Sequence, residues 1–203
     1  MWEVGEGEKG EGAGVIKIII PKKEGKRIPV EIIASLPRQQ EDYPYIQNLA
    51  ETFVDFKVFQ RYLRTMYITH QIIYTQDDDC VVQIPSNVMR AYEPGVVTCN
   101  MPQHRRAEYA DGVALVGWGA IFDRNLTSVF NLYLRHFPID DLFLTECDRV
   151  FTGLNRVKMI DVPFVNLENA EGADRLHKRP DHWEKLREIR ERIKFVKQKE
   201  GIA

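Results

Sequence analysis

The segment from Gln71 to Pro85 reads QIIYTQDDDCVVQIP and places three consecutive carboxylates between two apolar runs. Short apolar runs of this kind are typical of buried strands. Three adjacent carboxylates are costly to bury without a counter-charge, and a divalent cation would supply one. In an extended chain, Asp77 and Asp79 point to one side and Asp78 to the other. The acidic run is therefore our candidate for the chemical centre, and a solvated acidic turn is the alternative.

Size and composition indicate one globular domain. The chain has 203 residues, of which 44% are hydrophobic and 29% charged, so it can build a core. Its net charge of -2 gives no overall basic signature for nucleic acid. The 3 cysteines form no CxxC pair. No run approaches the roughly 18–20 apolar residues of a bilayer span. The N-terminus lacks the pattern of a signal peptide. We therefore expect a cytoplasmic protein with reduced thiols.

Strand-like and helical patterns alternate along the chain. The predicted strands cover residues 15–20, 28–36, 56–59, 72–75, 80–85, 95–98, 157–162 and 164–165, and the predicted helices cover 45–53, 60–71, 87–92, 126–136 and about 146–154. This order predicts an α/β/α sandwich with a mainly parallel mixed central sheet. Residues 1–14, rich in Gly and Glu, are expected to be flexible, and residues 15–203 are expected to form a single domain.

The C-terminal part of the chain is basic. Between Arg175 and Lys199, ten Lys/Arg and four Asp/Glu leave an excess of about six positive charges. A helix is predicted from about residue 183 to 199. Its apolar stripe consists of Trp183, Leu186, Ile189, Ile193 and Val196. The basic face of this helix is either solvated or in contact with an anionic partner such as DNA or a membrane surface.

The segments around the acidic run resemble, in order, the motifs of metal-dependent glycosyltransferases with the GT-A fold. Residues 72–81 resemble the DXD strand of that family, and residues 30–38 resemble its first strand and nucleotide-binding loop. The helix that carries Arg61 and Arg64 resembles the one that supports the donor. Gly117-Trp118-Gly119 resembles the acceptor-side segment.

Two further motifs extend the resemblance, which spans about residues 28–183. The segment 145–148 resembles an acidic motif at the start of a helix, here with Cys147 between the two acids. His177 stands where many members of the family supply a third metal ligand.

The resemblance implies a glycosyltransferase that uses Mn²⁺ (or Mg²⁺) and a nucleotide-sugar donor of the UDP type. It implies the metal ligands Asp77, Asp79 and His177, and the donor-binding residues Pro37, Arg38, Arg61, Arg64, Asp78, Lys178 and Arg179. It implies the acceptor-binding residues Gly117, Trp118 and Gly119, and Asp148 as the catalytic base, with Glu146 as the other option. The available base favours inversion at the anomeric carbon.

Other interpretations remain open at the level of sequence. Glu146 and Asp148 are also what a helix N-cap or first turn favours, and Trp118 is equally suited to a core. A nucleotidyltransferase of related fold is an alternative, although residues 35–39 contain no glycine. A third is a non-catalytic nucleic-acid-binding module that uses Arg105, Arg106 and the C-terminal helix. Modified DNA as the acceptor would combine the first and third interpretations.

Overall fold

The computed structural model describes residues 16–21, 27–35, 57–65, 70–77, 80–109, 112–166 and 180–202. Within these residues, six strands form a central mixed sheet and two more form a small second sheet. The strands are β1 (Ile16–Pro21), β2 (Arg27–Ser35), β3 (Ile72–Asp77), β4 (Cys80–Val82), β5 (Val97–Asn100), β6 (Ala120–Asp123), β7 (Val157–Ile160) and β8 (Phe164–Asn166).

The central sheet has the order β1-β2-β3-β6-β5-β7, and β4 pairs with β8 in the second sheet. The pairs β2–β3 and β5–β7 are parallel, whereas β1–β2, β3–β6 and β5–β6 are antiparallel. The prediction of an α/β fold with a mixed sheet is confirmed. Four of the six strands share one direction, but β6 runs back between β3 and β5. Only two of the five pairings are therefore parallel, and the sheet is more mixed than we predicted.

The parallel pairing of β2 with β3 aligns the ends of these two strands. Ser35, the last residue of β2, pairs with Asp77, the last residue of β3. The acidic run therefore begins where two neighbouring strands end together. In α/β sheets, the carboxyl ends of parallel strands are where ligands commonly bind.

The described helices depart from the predicted boundaries. They are α1 (Gln60–Thr65), α2 (Pro85–Arg90), α3 (Val129–Leu134), α4 (Asp141–Leu154) and α5 (His182–Glu200), with 3-10 helices at Lys57–Phe59, Gln103–Tyr109 and Arg124–Ser128. The prediction of a strand at 56–59 is wrong for its described residues, and the predicted helix over 60–71 extends too far, since residues 70 and 71 are not helical.

The start of α4 changes the interpretation of two candidate residues. The helix begins five residues before Glu146, because the Asp140 side chain accepts a 2.8 Å hydrogen bond from the backbone N–H of Phe143 and caps it. Glu146 has non-helical backbone angles at a kink where two helical segments of α4 meet. Glu146 and Asp148 therefore lie at the start of the second segment, so their N-cap or first-turn interpretation fits that segment and not the start of α4.

Both faces of the sheet carry a hydrophobic layer. Successive residues of a strand point to opposite faces, and Ile73 and Phe122 belong to one cluster while Tyr74 and Ile121 belong to the other. The first cluster lies against α3, α4 and α5, and the second includes residues of α2. This is the layered arrangement that an α/β fold needs to bury both faces of its sheet.

The C-terminal helix α5 packs on α4 by four of the five predicted apolar positions. Leu186, Ile189, Ile193 and Val196 are buried, whereas Trp183 is 75% exposed, so its place in the stripe was wrong. Part of the basic character of α5 is neutralised at the start of α4, where Lys185 lies 2.9 Å from Asp141. None of the helices in the described part of the chain is long and apolar enough to cross a membrane.

Candidate active site

Arg61 on α1 joins two carboxylates from distant parts of the sequence. Its guanidinium contacts Asp77 at the end of β3 and lies 3.5 Å from Asp148 on α4. The Arg61 side chain is only 5% exposed, so it depends on these opposite charges. Burial acts to lower the pKa of Arg61, but Asp148 and then Asp77 outweigh that effect and the pKa is raised. Arg61 is therefore a permanent cation between the two acids.

Asp148 carries a partly buried carboxylate, 13% exposed, that is held from two sides. The Tyr62 hydroxyl donates a 2.7 Å hydrogen bond to its Oδ1, and Arg61 faces its Oδ2. Burial raises the pKa of Asp148; Arg61 opposes this and Asp77 adds to it. The side chain thus accepts a proton more readily than an ordinary aspartate and has a fixed orientation. Both properties suit a general base.

Gly117 forms a close backbone contact with Asp77. The backbone N–H of Asp77 donates a 2.7 Å hydrogen bond to the carbonyl oxygen of Gly117. A Cβ added at Gly117 would overlap the Asp77 carboxylate, so a larger residue fits only if that carboxylate moves from its contact with Arg61. Gly119 has φ of +100°, which a side chain would strain. The glycines therefore allow the 117–119 segment to turn directly against the end of β3.

Glu146, the second candidate base, belongs to a different buried group. Its carboxylate accepts a 2.8 Å hydrogen bond from Arg149, and the Arg149 guanidinium lies 5.2 Å from the centre of the Tyr109 ring. Burial raises the pKa of Glu146, while Arg149 opposes this. The backbone at Glu146 leaves the helical region, with φ of −114° and ψ of 17°. Arg61 contacts Asp148, and Glu146 is held by Arg149, so the two predicted bases are not equivalent.

A cleft of about 430 Å³ lies beside the 117–119 segment. Its lining residues are Pro102, His104, Arg105, Trp118, Asp161, Val162, Pro163 and Phe164. Trp118 stacks on Phe164, with ring centres 5.2 Å apart and planes 26° from parallel. Arg105 lies over Trp118, its Cζ 5.4 Å from the ring centre. Trp118 packs partly against the main core, so its core and ligand-facing interpretations are compatible.

The predicted metal set is described only at Asp77. A carboxylate of this kind suits Mn²⁺ or Mg²⁺, and the Asp77 side chain is 37% exposed. Among the residues that the structure describes, no group of three or more His, Cys, Asp or Glu is placed to hold a metal ion. Asp79 and His177 lie outside the described residues, so the three-ligand set stays a prediction.

Several predicted donor-binding residues also lie outside the described part of the chain. They are Pro37, Arg38, Asp78, Lys178 and Arg179. Arg64 belongs to α1, but its side chain is not described. Of the predicted residues with described positions, the structure brings Arg61, Asp77, Gly117 and Asp148 into one cluster.

Comparisons with known proteins do not assign the chain to a family. No family model, no curated protein and no solved structure matches the chain.

Two residues of the site carried no clear signal in the sequence. Tyr62 is 2% exposed, and its hydroxyl reaches Asp148. Asn100 ends β5 as a fully buried amide, and only the structure shows what it binds. The adjacent pair Arg61 and Tyr62, which precedes the acidic run, is the sequence signal that could have pointed to these contacts with Asp148.

Proposed function

We propose that the chain is a metal-dependent glycosyltransferase that moves a sugar from a nucleotide-sugar donor of the UDP type to an acceptor hydroxyl. The observation that carries the proposal is the cluster around Arg61. It joins Asp77, the first residue of the acidic run, to Asp148 of the second acidic motif. Buried ionisable groups with specific charge partners at a strand end are typical of active sites.

Asp148 is the general base in this proposal. It takes the proton of the acceptor hydroxyl while the hydroxyl oxygen bonds to the anomeric carbon and the bond from that carbon to the diphosphate breaks. Attack opposite the leaving group gives inversion. Tyr62 and Arg61 hold the Asp148 carboxylate in one orientation. Glu146 is less suited, because among the described residues it pairs with Arg149 and not with the Arg61 group that reaches Asp77.

The donor side of the site begins at Asp77. The ligand set Asp77, Asp79 and His177 would hold Mn²⁺ or Mg²⁺, which neutralises charge on a leaving diphosphate. The donor-binding residues proposed with them are Pro37, Arg38, Arg61, Arg64, Asp78, Lys178 and Arg179. Alignment of the ends of β2 and β3 supports a ligand at this edge of the sheet.

UDP release from UDP-glucose, UDP-galactose and UDP-N-acetylglucosamine, measured with Mn²⁺, tests the proposal. We expect turnover by the wild type and a loss of about 100-fold or more in Asp148→Asn, as for other general bases. Asp141→Asn is the matched control, because it lies on the same helix and is 56% exposed. Equal losses of turnover in both variants would reject the proposal. If the wild type shows no turnover and nucleoside triphosphates raise its unfolding temperature, the proposal is rejected in favour of a nucleotidyltransferase.

A further inference from the structure

Two backbone segments that line the cleft beside Trp118 are linked by one buried side chain. The Asn100 side chain is fully buried and donates hydrogen bonds to the carbonyl oxygens of Trp118 (3.1 Å) and Val162 (3.0 Å). Its own oxygen accepts a 2.8 Å bond from the N–H of Val162. Trp118 and Val162 lie on different lining segments of the cleft. One amide therefore fixes the two segments relative to each other.

Both of these segments are also tied to the acidic run. Gly117, next to Trp118, accepts the hydrogen bond from Asp77, the first residue of the run. Phe164 pairs with Val82 of β4, the strand that follows the run. The two segments that carry Trp118 and Phe164 are therefore both hydrogen-bonded to strands that flank the acidic run.

The lining chemistry matches a ligand that is polar at its edge and apolar on its face. Trp118 and Phe164 provide an aromatic surface, Arg105 provides hydrogen-bond donors and Asp161 provides acceptors. Asp161 is exposed, and its Oδ2 accepts a 3.2 Å bond from the N–H of Gln103, which orients it. A carboxylate has four lone-pair positions, so acceptor capacity remains for a ligand.

We propose that this cleft binds a sugar ring, and, resting on the proposed function, that the acceptor is a carbohydrate. A pyranose has an apolar C–H face and a rim of hydroxyls that both donate and accept hydrogen bonds. A wholly apolar ligand would remove water from the Asp161 carboxylate without satisfying its remaining acceptor positions. A nucleic-acid strand would bring its phosphates towards the Asp161 carboxylate. The volume of about 430 Å³ falls within the usual range of about 300–1,000 Å³ for small-molecule sites.

Saturation-transfer NMR tests the site directly. The probes are the methyl glycosides of glucose, galactose, mannose and N-acetylglucosamine, each with and without UDP and Mn²⁺, and a ten-residue thymidine oligonucleotide as the alternative ligand. We expect ring-proton signals from at least one glycoside. Asp161→Asn and Arg105→Gln are each expected to weaken its binding about 10-fold or more, as for hydrogen bonds to charged groups. Arg156→Gln is the control, since that arginine is 76% exposed and lies outside the cleft.

Two results would overturn the inference. One is the absence of any glycoside signal in all conditions, and the other is oligonucleotide binding that strengthens in Asp161→Asn. UDP release by the wild type reports on the proposed function separately. Turnover without glycoside binding would reject the sugar site alone, whereas glycoside binding sensitive to Asp161 but without turnover would support a sugar site and reject the transferase.

Discussion

Replacing Arg61 by methionine removes the cation between Asp77 and Asp148. Methionine keeps much of the buried volume, so the main loss is the charge. Asp148 is 13% exposed, and within the described part of the chain it would keep the hydrogen bond from Tyr62 and the attraction of Arg149. Removing one partner of a buried ion pair costs about 3–5 kcal/mol, because the other charge stays buried without compensation. For a chain of this size, that corresponds to a fall of about 6–20 °C in the midpoint of thermal unfolding.

The loss should depend on pH with a defined sign. The pKa of Asp148 is already raised by burial, and Arg61 is the main group that opposes the shift. Without Arg61 the pKa of folded Asp148 rises further. A raised pKa means that stability is retained below the unfolded value of about 3.9 and lost as pH increases through the folded pKa. The cost of Arg61→Met should therefore be larger at pH 8 than at pH 5.

Urea unfolding of wild type, Arg61→Met, Asp148→Asn and the double variant at pH 5 and pH 8 measures this effect. The double variant should lose less than the sum of the single ones, because it leaves no unpaired carboxylate at position 148. Arg187→Met is the control, since Arg187 is exposed on α5. A loss for Arg61→Met that equals the control, or that does not change with pH, would refute the charge-pairing argument.

Three other perturbations test separate parts of the structure. Gly117→Ala places a methyl group on the Asp77 carboxylate, and calorimetry should show a loss of about 1–3 kcal/mol, typical of overpacking. The raised pKa of Asp148 means that the wild type loses stability as this carboxyl deprotonates, whereas Asp148→Asn does not. The free energy of unfolding of Asp148→Asn, measured by urea titration, should therefore increase relative to wild type from pH 4 to pH 8. Trp183→Ser should change stability by less than about 0.5 kcal/mol, whereas Ile189→Ala should cost about 2–5 kcal/mol by chemical denaturation.

Local patterns were enough to place most of the fold. The apolar run before the acidic residues predicted β3 because a strand buried on both faces must be apolar at every position, and Ile72 to Thr75 are all buried. The strand β6 was not among the predicted strands, and its direction was not predictable in the same way. Nothing in residues 120–123 specifies that the strand enters the sheet antiparallel between β3 and β5, because that choice depends on partners far along the chain.

The same limit applies to the candidate site. The acid at position 148 was proposed because residues 145–148 resemble the acidic motif of the glycosyltransferases, but its partners Arg61 and Tyr62 come from another helix. The stripe of α5 was predicted by helical periodicity, and it failed only at Trp183, where α5 begins. Periodicity shows which face of a helix is apolar, but it does not show where the supporting surface ends.

The acidic run was interpreted as needing a cation, and the structure supplies one for its first member. Arg61 already contacts Asp77, so a metal bound through Asp77 would compete with an internal guanidinium that also holds Asp148. A metal bound mainly through Asp79 would leave that contact intact. We therefore expect Asp79→Asn to weaken Mn²⁺ affinity more than Asp77→Asn in calorimetric titration. Asp77→Asn should instead lower the unfolding midpoint without metal, because it removes a partner of a buried arginine. The opposite order of Mn²⁺ affinities would assign Asp77 as the principal metal ligand and Arg61 as the group that it displaces.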